Sequence, residues 1–80
     1  MSKYEKLLEK ICKLDHGLRF EELAKVLIKN GYHMDAPASG SSHRTFRKHG
    51  YAPLTIPKHK PIDIVYIRLV RDVLRKDGIL

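Results

Sequence analysis

Apolar positions recur with helical spacing at both ends of the chain and alternate in its middle. Near the N-terminus Tyr4, Leu7, Leu8, Ile11 and Cys12 follow the i, i+3, i+4, i+7, i+8 pattern of one buried stripe. Ser2 and Glu5 form a capping-box pair ahead of it, in which hydroxyl and carboxylate satisfy free backbone donors at the helix start. Asp15-His16-Gly17 ends this helix. A second stripe, Phe20, Leu23, Ala24, Leu27 and Ile28, predicts a helix from about Phe20 to Asn30. Glu21 and Glu22 suit the dipole of its first turn, and Gly31 supplies a left-handed stop.

From Tyr32 the period changes to two. Tyr32, Met34 and Ala36 alternate with His33 and Asp35, which predicts a short strand. Pro37 to Ser42 reads as a loop of small residues. His43 to Lys48 is a second strand, and His49-Gly50 turns into a third, Pro53 to Pro57. The prolines flanking Leu54-Thr55-Ile56 suit an edge strand, because proline removes a ladder donor. Tyr66, Ile67, Val70, Val73 and Leu74 then mark a last helix from about Asp63 to Lys76. The fold class is therefore α+β: a three-stranded antiparallel sheet with helices on one face and the other face open to solvent.

The open face follows from alternation. Phe46, the large apolar residue of the second strand, points at the helices, with Arg44 and Lys48 on its side. His43, Thr45 and Arg47 then point outward. In the third strand Leu54 and Ile56 point inward and Thr55 outward. A histidine, two threonines and an arginine thus gather on one small surface.

Charge changes the meaning of that surface. Sixteen Lys and Arg against nine Asp and Glu give a net charge of +7. No acidic residue lies between Asp35 and Asp63, while Arg44, Arg47, Lys48, Lys58 and Lys60 do. An electropositive middle favours polyanions, and RNA or DNA above all. The chemistry on offer suits RNA. Cleavage through the 2′-hydroxyl needs a proton acceptor, a proton donor and stabilisation of phosphate charge. Imidazole, with a reference pKa of about 6.5, does either proton transfer. Guanidinium binds phosphate oxygens in pairs. Arg47 and Lys58 are phosphate-binding candidates on these physical grounds.

Other features narrow the class. A chain of 80 residues is one domain, and the single cysteine, Cys12, excludes an intramolecular disulfide and a cysteine-based zinc site. Cys12 is expected to be a buried, inert thiol. No apolar run approaches the roughly 18 residues that span a bilayer, and no signal peptide is legible, which points to the cytoplasm. His43, His49 and His59 lack ligand spacing, so neither a metal site nor a cofactor is expected. His49 reads as a turn residue, and His16 and His33 receive no role.

Gly40-Ser41-Ser42-His43-Arg44-Thr45-Phe46 resembles the Gly-Ser-His-x-x-Phe signature of HicA toxins. Thr55-Ile56-Pro57 and the basic loop Lys58-His59-Lys60-Pro61 follow in that family's order, and Arg19-Phe20-Glu21-Glu22-Leu23 with Asn30-Gly31-Tyr32 is similar to its helix and helix stop. The resemblance covers about residues 19–77 of a single domain spanning 1–80, with 1–16 as an additional N-terminal helix. Ser42, between Gly40-Ser41 and His43, is a departure seen in a subgroup of the family.

The resemblance implies a fold like the double-stranded-RNA-binding domain, α-β-β-β-α, acting as an mRNA interferase. It implies His43 as the catalytic residue, Gly40 as the tight turn before it, and a HicB-like antitoxin covering the active face. Gly40, Ser41, Ser42, Thr45, Arg47, Thr55, Lys58, His59 and Lys60 are the expected RNA- or phosphate-binding set. The expected partners are mRNA and the antitoxin, with a homodimer and a toxin–antitoxin hetero-oligomer both open. Two rival readings stand beside this one: a non-catalytic RNA-binding module, and a protein-interaction domain whose basic face meets an acidic partner.

Overall fold

The computed structural model describes residues 2–35, 43–58 and 62–80. They form α1 (Lys3–Cys12), α2 (Phe20–Lys29), β1 (His33–Asp35), β2 (His43–Arg47), β3 (Leu54–Pro57) and α3 (Ile64–Lys76). The sheet is antiparallel in the order β1-β2-β3, with both outer strands at its edges.

A side chain caps the start of each helix. Ser2 Oγ accepts from Glu5 N at 3.1 Å, and the Asp63 carboxylate accepts from Val65 N at 3.0 Å. At α2 the cap works from the other side: Glu22 Oε1 accepts from the backbone N of Arg19 at 3.0 Å. Gly31 closes α2 at φ +97°, and Tyr32 N returns to Leu27 O at 3.1 Å, the long bond of a Schellman stop. Past α1, Leu14 holds φ +57° without being glycine. Its side chain packs against the core, which offsets the left-handed cost of about 1–2 kcal/mol.

Phe46, Leu54 and Ile56 enter the core from the sheet and meet Phe20, Leu23, Leu27, Ile67, Val70 and Leu74 from α2 and α3. The Phe20 and Phe46 rings pack at 5.9 Å between centroids. α1 lies against α2 and α3 and adds Ile11, which is 0% exposed. Asn30 Nδ2 donates to Tyr4 Oη at 2.9 Å, tying α1 to the end of α2.

Two burial expectations are corrected. Cys12 is exposed, because it is the last residue of α1 and flanks the stripe instead of lying within it. In α2 Val26 is buried and Ile28 is 50% exposed, the reverse of the expected stripe. Val26 shares a face with Asn30, four residues on, and that face is the one α1 covers. β1 is also shorter than expected: Tyr32 sits in the core ahead of it, and Ala36 lies outside the described residues.

Candidate functional site

The cross-strand register fixes which side chains share the open face. His33 is opposite Arg47, Asp35 opposite Thr45, Thr45 opposite Thr55, and His43 opposite Pro57. Directly opposed residues point the same way, so His33, Asp35, His43, Thr45, Arg47 and Thr55 occupy one face. Phe46, opposite Met34 and Leu54, points to the helices with Arg44 and Ile56.

His43 begins β2 and is exposed. Pro57 across from it is buried, and Lys58, the next residue, is exposed at the same end of the sheet. Thr45 and Thr55 meet with their hydroxyls 3.2 Å apart. These two donors sit one alternation from the imidazole, and Lys58 follows the residue opposite it. Imidazole, hydroxyls and ammonium are a set able to hold a phosphodiester and move a proton at it.

Arg47 stands at the far end of the face. Its Nε donates to Asp35 Oδ2 at 2.7 Å, and the two side chains are 63% and 57% exposed. Lys48, the next cation along, turns below the sheet to Asp77 at 2.8 Å with both side chains mostly buried. Tyr51 Oη donates to the other oxygen of Asp77. The Lys48 ammonium also lies 4.6 Å from the Tyr51 ring centroid. This cluster pins the β2–β3 turn to the end of α3. Gly50, at φ +83°, makes that turn, closed by Tyr51 N to Lys48 O at 3.0 Å. The acid-free middle of the sequence is therefore not acid-free in space, since Asp35 and Asp77 return to two of its cations.

Gly40, Ser41, Ser42, His59 and Lys60 lie outside the described residues. His33, to which the sequence assigned nothing, shares the open face with His43. Alternation along one strand does not reveal it, because the register to β1 decides the matter. His49 falls in the turn after β2, as expected, and His16 is exposed beyond α1. Among the described residues no three His, Cys, Asp or Glu side chains converge on one point. No helix among them is long and apolar enough to cross a membrane.

Two helices packed on one face of a three-stranded meander make this an α-β-β-β-α domain of the double-stranded-RNA-binding type, with α1 added in front. Residues 20–79 match the family model of the HicA toxin of bacterial toxin–antitoxin systems. The chain belongs to that family: it is a toxin whose system includes an antitoxin partner. No curated protein and no solved structure shows significant similarity to the chain.

Proposed function

We propose that this toxin is an endoribonuclease that cleaves messenger RNA in the cytoplasm, with His43 as its catalytic residue and no metal required. The observation that carries the reading is the place of His43: exposed, on the sheet face that the helices leave open, beside the Thr45–Thr55 pair and the strand end followed by Lys58. The RNA 2′-oxygen attacks phosphorus as its proton passes to a base. The P–O5′ bond breaks, and the 5′-oxygen takes a proton. The products are a 2′,3′-cyclic phosphate and a 5′-hydroxyl. His43 serves one of these two proton transfers. Thr45, Thr55 and Lys58 hold the phosphate, together with Gly40, Ser41, Ser42, His59 and Lys60. A HicB-like antitoxin silences the toxin by covering this face.

The internal nucleophile sets the test. Purified protein cuts a labelled mRNA in the presence of a chelator, the upstream fragments end in a cyclic phosphate, and a 2′-deoxy substitution at the cut nucleotide blocks that cut. Fragments with a free 3′-hydroxyl, cutting at the deoxy position, or arrest by the chelator each contradict the reading.

A further inference from the structure

His33, Asp35 and Arg47 form a second cluster on the open face, bordering the group around His43 at Thr45, which lies opposite Asp35. His43 and Arg47 are four residues apart on one strand, or about 14 Å at ~3.4 Å per residue. At that spacing, and with the Arg47 guanidinium held by Asp35 on the neighbouring strand, the two side chains meet different parts of a bound strand. A single strand crossing the face from His43 therefore brings a neighbouring nucleotide over the second cluster.

The chemistry of this cluster is not that of a phosphate site. A carboxylate repels a phosphate, and here Asp35 holds the Arg47 guanidinium at 2.7 Å. The bond uses one of the five guanidinium donors and one of the two carboxylate oxygens. Both side chains are more than half exposed, at 63% and 57%. The remaining donors and the second oxygen are open to a ligand offering both a donor and an acceptor on one edge. A nucleobase does this, and single-stranded RNA is read along such edges. His33, directly across from Arg47, adds a ring on which a base stacks.

We propose that His33, Asp35 and Arg47 are a base-reading subsite that selects a nucleotide whose Watson–Crick edge sets an amino group beside a ring-nitrogen acceptor. The carboxylate accepts from the amino group while the guanidinium donates to the adjacent ring acceptor, as adenine and cytosine permit. Uracil has no amino group and leaves Asp35 facing a carbonyl. The inference rests on reading the open face as an RNA surface, but not on cleavage.

The test is binding by the intact protein of 2′-O-methyl hexamers of adenosine, cytidine and uridine, which cannot be cut through the 2′-oxygen. The adenosine and cytidine hexamers bind at least about fivefold more tightly than the uridine hexamer, the low end of what one paired base contact discriminates. Asp35→Asn and, separately, Arg47→Gln collapse that ratio. The ratio is the readout because removing the Asp35 charge tightens all three hexamers together, whatever the role of the residue. Equal affinities in the wild type, a ratio unchanged in both variants, or no binding of any hexamer overturns the proposal. Cleavage without a base preference keeps the nuclease reading and removes this one. A preference without cleavage does the reverse.

Discussion

The single residues that matter are those whose chemistry is at odds with their surroundings. Tyr32 is one. It is 2% exposed, and its hydroxyl has no hydrogen-bond partner among the described residues. Burial pushes its ionisation above the ordinary tyrosine value, opposed by nearby Lys48 and reinforced by Asp77. The hydroxyl serves the core poorly, whereas the ring packs edge-on to Tyr51 at 6.2 Å. Tyr32→Phe keeps the ring and removes the stranded hydroxyl, so it raises stability by about 1 kcal/mol in denaturant titration. The effect grows in alkali. Above about pH 10 the unfolded tyrosine releases its proton while the native one keeps it, so native stability falls as pH rises through that point. The wild type shows this loss and Tyr32→Phe lacks its share of it. A variant less stable than wild type, with the same alkaline limb, contradicts this account.

At the scale of elements, most of the fold was legible. Both apolar periods, the cap at Ser2 and the stop at Gly31 lie in the order of residues, and each is a local signal. Cys12 and Ile28 were misjudged because a stripe tells which helix face is apolar, not how far the neighbouring helix reaches around it. The candidate site was half legible for a related reason. Alternation placed His43, Thr45, Arg47 and Thr55 on the open face. It left out His33 and the hold of Asp35 on Arg47, which depend on a strand register that no single strand encodes. The role of the first element follows from packing: α1 completes the core through Ile11, which is fully buried. Ile11→Ala therefore costs about 2–5 kcal/mol, much of the stability of so small a domain. Thermal melting checks it, and an unchanged midpoint contradicts a core role for α1.

The whole molecule separates two jobs by side. The helices carry the core and leave one sheet face to solvent, so the face tolerates polar chemistry without loss of packing. The net charge of +7 draws a polyanion toward the protein. Asp35 and Asp77 neutralise the far end of β2 and the turn beyond it, which leaves the His43 end as the better place for a phosphate. Because His43 is exposed and outside the core, its replacement leaves the fold intact. The most direct measurement is cleavage of a labelled mRNA by the wild type and by His43→Ala, with a chelator present and melting temperatures recorded for both. The account predicts equal melting and a loss of at least about a hundredfold in cleavage rate for the variant. Equal cleavage by the two proteins removes His43 from the chemistry, and RNA bound but cut by neither makes the open face a binding surface alone.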